Sequence, residues 1–148
     1  MIEQFISATD AMGIVERLAQ AKSRQDVTAA MAVYHPDAVL ESPPLGTRHA
    51  GPEVENAVVG WFAFAPDYTV RVDGHGLHGE TLCCCGEISF TPSFTWTGVA
   101  LNGVRATVPV FMLFRFEDGR VSYESFHFDV AGVARQCGVE ASDLVAAS

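Results

Sequence analysis

The sequence has 148 residues, of which 49% are hydrophobic and 18% are charged. This balance excludes an intrinsically disordered chain, and the length suits one domain with a genuine core, so we predict a single domain over residues 1–148. The formal net charge of −9 argues against nucleic acid and anionic membrane surfaces as partners.

No apolar segment approaches the length of a membrane span, and the longest run, residues 108–114, contains Pro109. The N-terminus lacks a basic segment followed by an apolar core, which predicts no secretion signal and a cytoplasmic location. The four cysteines, three of them consecutive at 83–85, match no zinc spacing and are predicted to be buried thiols in a reducing compartment. We expect neither a metal nor a cofactor. One conceivable metal site groups the polar residues of a glycine-rich turn: Asp73, His75, His78 and Glu80.

Two helices are predicted near the N-terminus. Thr9 or Asp10 can cap the first, and Asp26 can cap the second, which ends at His35-Pro36. The first helix carries an apolar stripe with helical spacing: Ile14, Val15, Leu18 and Ala19.

A third helix begins at Gly51-Pro52, with proline in its first turn, and stops at Pro66. Its apolar stripe is broad, and we expect Trp61 to be buried between this helix and the sheet. The stripe consists of Val54, Ala57, Val58, Trp61, Phe62 and Ala65.

The rest of the chain is predicted to form strands. A short strand at 38–42 precedes the third helix, and after Pro66 the predicted strands are 68–73, 81–90, 94–101 and a long hairpin from 104. A short helix at 130–136 follows, ended by Gly138, and the tail is expected to be loose. Three helices followed by antiparallel strands predict an α+β fold, with helices filling the concave side of a curved sheet.

The hairpin turn at Asp118-Gly119 leaves two registers open. A two-residue turn directs alternate residues from Tyr123 to Asp129 toward the core. A three-residue turn with a bulge at Gly119 instead turns inward Ser122, Glu124, Phe126 and Phe128. We favour the bulged turn, because burying Phe126 and Phe128 gains roughly 1.5–3 kcal/mol each.

Several segments, in this order, resemble the NTF2-like superfamily, and most nearly the SnoaL-like polyketide cyclases, with the limonene epoxide hydrolases as more distant relatives. The resemblance implies a cone-shaped sheet around helices, a deep apolar pocket and frequent homodimers. The segments are YHPDAVLESP, GPEVENAVVGWF, PDYTV, FRFEDGRV and HFDVAGVARQCG.

The resemblance also implies where chemistry would occur. Family members carry a polar pair on one central strand and a carboxylate on the last strand. In this sequence the corresponding positions hold Cys85 and Glu87, and Phe126. The position of a water-binding asparagine in the epoxide hydrolases holds Ser42. The resemblance implies an arginine and two aspartates at the first three positions in the epoxide hydrolases, and a last-strand aspartate as the base in the cyclases. Here only Glu87 keeps an ionisable group of the carboxylate type, so the sequence departs from both mechanisms. The fold therefore carries over more securely than the reaction.

Glu87 is the first candidate acid or base, on the expectation that it lies among apolar walls and loses hydration; the alternative is a solvated glutamate on the outer face. Glu124 is the second candidate and could share a proton with Glu87. Its alternative is a rim position bonded to Arg115 or Arg120.

His127 and Asp129 form an alternative acid–base couple if the turn has two residues. We favour helix capping as the role of Asp129, because it directly precedes the closing helix. The residues predicted to bind substrate are mainly apolar: Leu40, Ser42, Trp61, Phe62, Cys85 and Phe126.

These features predict a cofactor-independent enzyme that transfers a proton in an apolar molecule of a cyclic or polyketide-like kind. The alternatives are a non-catalytic apolar-ligand-binding protein and a dimerising scaffold. We expect a homodimer formed through the outer face of the sheet, where the bulged register leaves Phe111, Leu113 and Tyr123.

Overall fold

The computed structural model describes residues 5–146, which form five helices and six strands. The predicted α+β class is confirmed. The helices are α1 (Ala8–Ser23), α2 (Val27–Val33), α3 (Glu53–Phe64), α4 (Val130–Cys137) and α5 (Ala141–Leu144). The strands are β1 (Tyr34–Ser42), β2 (Thr47–Ala50), β3 (Thr69–His78), β4 (Thr81–Phe90), β5 (Ala106–Glu117) and β6 (Arg120–Phe128).

The strands form one curved, unclosed sheet in the order β2-β1-β6-β5-β4-β3. All neighbouring strands are antiparallel except β1 and β6, which run parallel. The inner face of the sheet buries alternate apolar residues of β4, β5 and β6 against the helices. Among residues 5–146, no helix is both long and apolar enough to cross a bilayer.

The hairpin between β5 and β6 closes with a two-residue turn, so the predicted three-residue turn is wrong. Asp118 and Gly119 both have positive φ, 53° and 73°, and Glu117 pairs with Arg120. Positive φ at both central residues is the geometry that an Asp-Gly pair favours in a tight hairpin.

A bulge in β6 nevertheless produces the inward face that we predicted. Phe116 pairs with Val121 but Arg115 pairs with Tyr123, which leaves Ser122 as the extra residue. The bulge shifts the register by one, so Glu124, Phe126 and Phe128 face the core and are buried.

The helix boundaries differ from the predictions at two points. Ser7, rather than Thr9 or Asp10, caps α1, and its hydroxyl accepts a hydrogen bond from the Asp10 amide at 3.1 Å. Asp26 caps α2 as predicted, but the helix ends at Val33 because the next residue already begins β1 and pairs with β6.

Two strand predictions are wrong, and two short elements were missed. Residues 91–105 form an irregular loop instead of a strand, with positive φ at Gly98 and Gly103. Strand β3 continues to His78 through the glycine-rich segment that we predicted to be a turn, with an irregularity between Val72 and Gly74. The missed elements are β2 and α5, whose capping box orders part of the tail that we expected to be loose.

Strand β4 divides the cysteine run between its two faces. Cys84 is buried, whereas Cys83 and Cys85 are exposed, which corrects the prediction that all the cysteines are buried. The remaining thiol, Cys137 at the end of α4, is buried as predicted.

Candidate functional site

A cavity of about 420 Å³ opens between α3, the first two strands, the 91–105 loop and the C-terminal segment. Most of its lining is apolar, and its size is within the range of small-molecule sites. Both tryptophans of the chain, Trp61 and Trp96, contact it. The polar side chains along its wall belong to Lys22, Ser42, Thr47, His49, Asn56 and Glu124.

Aromatic rings form the apolar wall of the cavity. Trp61, on the inward side of α3, makes edge or tilted contacts with Phe64, Phe126 and Phe128 at centroid distances of 5.6–5.7 Å. Its side chain packs against the core but is only partly buried, so Trp61 is less buried than we predicted. The side chain packs against the core and also borders the cavity.

A buried cluster of Lys22, Tyr34 and Glu124 lies on one side of the cavity. The Lys22 Nζ is 3.3 Å from Oε2 and 3.5 Å from Oε1 of Glu124. The Tyr34 hydroxyl donates to Glu124 Oε1 at 2.5 Å. The Glu124 side chain is 1% exposed and the Lys22 side chain 10% exposed. A carboxylate is thus held between an ammonium and a phenol, nearly out of contact with water.

The surroundings keep Tyr34 protonated. Burial, followed by the nearby Glu124 carboxylate, raises the pKa of Tyr34 well above its ordinary value. Burial and the same carboxylate also raise the pKa of Tyr68. Tyr34 is therefore a hydrogen-bond donor to Glu124 throughout the physiological pH range.

Three different elements bring the cluster together. Lys22 lies in the last turn of α1, where a cation is favoured by the helix dipole, and Tyr34 is the first residue of β1. Glu124 is on β6, and the bulge at Ser122 turns it inward. The Lys22 ammonium also lies 5.7 Å from the Tyr34 ring centre and 5.9 Å from that of Phe126.

Most of the residues predicted to bind substrate do line the cavity. They are Leu40, Ser42, Trp61, Phe62 and Phe126. The Ser42 hydroxyl donates to the Phe126 carbonyl at 2.8 Å, which ties the end of β1 to β6. Glu124 also faces inward as predicted, but its partners are Lys22 and Tyr34 rather than Glu87 or a rim arginine.

The predicted positions of Glu87 and Cys85 are wrong, because both residues lie on the outer face of β4. The Glu87 side chain is 40% exposed and lies 3.4 Å from the Arg71 guanidinium. Cys85 is exposed on the same face. The residues of opposite parity on β4, Leu82, Ile88 and Phe90, form the core, so Glu87 takes the solvated outer-face position that we gave as its alternative.

His127 and Asp129 do not form a couple. The Asp129 carboxylate accepts a hydrogen bond from the Gly132 amide at 2.9 Å and caps α4, as predicted. The His127 ring is 2.7 Å from the hydroxyl of Ser125, on the face opposite the cavity.

The sequence analysis missed Lys22 and Tyr34. Lys22 is four residues after Leu18, on the apolar stripe of α1, and a lysine in that position signals a buried partner. Tyr34 was assigned to the preceding helix, so its side chain could not be placed beside β6.

Within residues 5–146, one other group of side chains could hold a cation, next to the turn of the β5–β6 hairpin. Ligand atoms of His35, Glu117 and Asp118 lie within 4.8 Å of one another, with both acidic residues exposed. The predicted group in the β3 region does not gather in this way among the described residues. Exposed acidic groups of this kind are common without a metal.

Comparisons with known proteins agree with this architecture. A family model of the SnoaL-like domain matches residues 15–124. No curated protein sequence matches the chain.

Solved structures show the same fold. A candidate SnoaL-like polyketide cyclase from Jannaschia sp. CCS1 has a TM-score of 0.76 and 18% identity, covering 91% of this chain and 97% of that one. IdmH, a candidate polyketide cyclase from Streptomyces antibioticus, has a TM-score of 0.74 and 22% identity, covering 86% and 98%. An LEH-like epoxide hydrolase from M. tuberculosis has a TM-score of 0.68 and 19% identity, covering 87% and 90%. At these identities, the likeness establishes the NTF2-like fold alone.

Proposed function

Since the chain belongs to the SnoaL-like domain family, we propose that it is an enzyme that transfers a proton on an apolar, cyclic carbonyl compound bound in the cavity. One observation carries the proposal: a buried carboxylate, Glu124, borders a largely apolar cavity beside a cation and a phenol. A general base needs this kind of site, where the substrate excludes water and the proton acceptor is fixed in position.

Each member of the cluster has a separate role in the proposed reaction. Glu124 accepts a proton from the carbon next to the substrate carbonyl and later returns it. Tyr34 holds Glu124 Oε1 in place by donating its hydroxyl proton. Lys22 supplies positive charge to the enolate oxygen that develops as the carbon loses its proton.

The cavity wall favours a particular class of substrate. The rings of Phe62, Trp61 and Phe126 line the cavity and can contact a ligand through their faces and edges. The Ser42 hydroxyl donates its hydrogen bond to a backbone carbonyl instead of to a ligand. These contacts suit a flat, apolar ring system better than a sugar or a peptide. The chemistry of the cluster itself requires only a carbonyl with an acidic neighbouring carbon.

The experiment follows deuterium entering the activated carbon of β-tetralone, a bicyclic ketone, in heavy water by NMR. We expect Glu124→Gln to slow the catalysed exchange by about 10²–10⁴-fold, the usual contribution of a general base. Glu87→Gln is the matched control on the outer face and should leave the rate unchanged. Exchange at the normal rate in Glu124→Gln would exclude Glu124 as the base.

A non-catalytic binding protein is the second candidate, favoured by the 1% exposure of the Glu124 side chain and its pairing with Lys22. Both tryptophans contact the cavity, so ligand binding should change their fluorescence. Saturable quenching by β-tetralone without any catalysed exchange, and with similar affinity in Glu124→Gln, would favour the binding protein.

A further inference from the structure

The cluster contains the single lysine of the sequence. Nine residues of the chain are lysine or arginine, and eight of them are arginine. Arginine is the usual choice for a buried ion pair, because its guanidinium is always charged and forms two parallel hydrogen bonds with a carboxylate. A lysine amine, unlike the guanidinium, can lose a proton and become a nucleophile.

The surroundings of Lys22 give its amine access to a ligand, shielding from bulk water and a nearby proton acceptor. Its side chain is 10% exposed and borders the cavity, so a ligand can reach the amine while bulk water is largely excluded. Glu124 lies within 3.5 Å of Nζ through both of its carboxylate oxygens and can receive the ammonium proton. The rings of Tyr34 and Phe126 flank the same nitrogen.

From this arrangement we propose that Lys22 captures an apolar aldehyde or ketone as an imine in the cavity. The imine forms whether or not a carbon-bound proton is then transferred, so this inference goes beyond the proposed function.

The step is balanced within the cluster. Nζ passes one proton to Glu124 and attacks the carbonyl carbon, so an N–C bond forms and the carbonyl oxygen takes a proton from the nitrogen. Glu124 then returns its proton to that hydroxyl, the C–O bond breaks, and water leaves. The product is an iminium ion beside the Glu124 carboxylate, with the same net charge as the ion pair before the reaction.

The experiment traps this imine. The protein is incubated at neutral pH with naphthaldehyde and sodium cyanoborohydride, which reduces iminium ions to stable secondary amines. We expect one naphthylmethyl group per chain, located on Lys22 by fragmentation mass spectrometry. Trypsin should no longer cleave after Lys22, which is an independent report of the same adduct because no other lysine exists in the chain.

Two variants separate the cavity from ordinary surface reactivity. Lys22→Arg keeps the charge but has no nucleophilic amine, and should lose the adduct. Lys22→Arg combined with Arg24→Lys places a lysine two residues away on an exposed position of the same helix end. We expect this exposed lysine to react at least about 10-fold more slowly than Lys22, because it lacks a bound and oriented carbonyl. Circular dichroism checks that both variants are folded.

Either of two results would overturn the proposal: labelling of the normal protein only at the N-terminal amine, or equal rates for Lys22 and the exposed lysine. These results are distinct from the outcome for the proposed function. Deuterium exchange that depends on Glu124, with no adduct on Lys22, would support the proposed enzyme and reject the imine. An adduct on Lys22 without catalysed exchange would support the imine and reject the proposed enzyme.

Discussion

Two glutamates on the same sheet, Glu124 and Glu87, have opposite surroundings. Glu124 faces inward from β6, is 1% exposed, and is held by an ammonium and a phenol. Glu87 faces outward from β4, is 40% exposed, and lies 3.4 Å from the Arg71 guanidinium. An exposed pair of this kind contributes little to stability, whereas a buried charge without its partner is strongly unfavourable.

The difference shows that parity along a strand, rather than residue type, selects the candidate acid or base.

The outer face of the sheet also leaves Phe111 60% exposed on β5, between β4 and β6. The homodimer that we expected through this face stays a prediction.

The largest expected effect comes from removing the inner cation. Lys22→Met should lower the free energy of unfolding by about 3–5 kcal/mol, because it leaves the Glu124 carboxylate buried without its counter-charge. The outer-face control, Arg71→Met, should cost less than about 1 kcal/mol. Urea unfolding followed by circular dichroism measures both variants.

A second control tests the reason for that loss. Adding Glu124→Leu to Lys22→Met removes both charges and should recover much of the stability, since a buried pair can often be replaced by apolar residues at little cost. Equal stability of Lys22→Met and Arg71→Met would mean that the two faces do not differ in the way described.

The cysteine run allows the same comparison within three consecutive residues. Burial, followed by the neighbouring Cys83 and Cys85, raises the pKa of Cys84 to about 12, so at pH 8 it is a protonated and shielded thiol. A chromogenic disulfide reagent at about pH 8 should therefore react rapidly with the two exposed thiols, Cys83 and Cys85. Cys84 and Cys137 should react on the order of 10²-fold more slowly, through transient opening of the structure.

Single substitutions identify the thiols that react. Cys85→Ala should reduce the number of fast thiols from two to one, and Cys84→Ala should leave it at two. A fast thiol lost in Cys84→Ala would place that residue on the outer face instead.

The smallest expected effect concerns Asp67, which binds the residues at both ends of the 91–105 loop. Its carboxylate accepts hydrogen bonds from the Thr91 amide at 2.6 Å and hydroxyl at 2.7 Å, and lies 2.8 Å from the Arg105 guanidinium. Partial burial opposes ionisation, but the two bonds from Thr91 and the Arg105 charge outweigh it and lower the pKa of Asp67.

Because this pKa is lowered on folding, Asp67 stabilises the protein above its unfolded pKa of about 3.9 and loses that contribution as the pH falls through the folded value. Asp67→Asn should therefore be slightly less stable than the normal protein at pH 6, and the difference should shrink at pH 3. Urea midpoints at the two pH values measure it. A difference that grows in acid would contradict the assigned direction.

The sequence was most informative where apolar periodicity was unambiguous. The third helix, the hairpin strands and the capping by Asp26 and Asp129 are confirmed, because each depends on local spacing or on one side chain next to a helix. The irregular loop at 91–105 was predicted as a strand because of its aromatic residues. Glycines in positive-φ conformations and hydrogen bonds to α5 and to Asp67 decide its path instead.

The candidate site was harder to predict, because its members are distant in sequence. The three consecutive cysteines of β4 are acceptable on either face of the sheet, so the sequence does not show which alternate residues of the strand point inward. For that reason we predicted Glu87 on the wrong face. The bulge at Ser122 leaves no local signal, yet it decides that Glu124 faces the core. Lys22 could have been found from its position on an apolar stripe, but its partner could not.

The parallel pairing of β1 with β6 has a consequence for how the site comes into being. Glu124 is 90 residues from Tyr34 and 102 from Lys22, so among residues 5–146 the cluster closes the longest loops that a side-chain bond spans. Because closing such long loops costs more chain entropy than forming local hairpins and helices, we expect these contacts to form later. During synthesis, Lys22 and Tyr34 are made long before β6, so they cannot bind Glu124 until that strand has been added. The Lys22–Glu124 bond should therefore appear together with completion of the sheet, as a marker of the last step of folding.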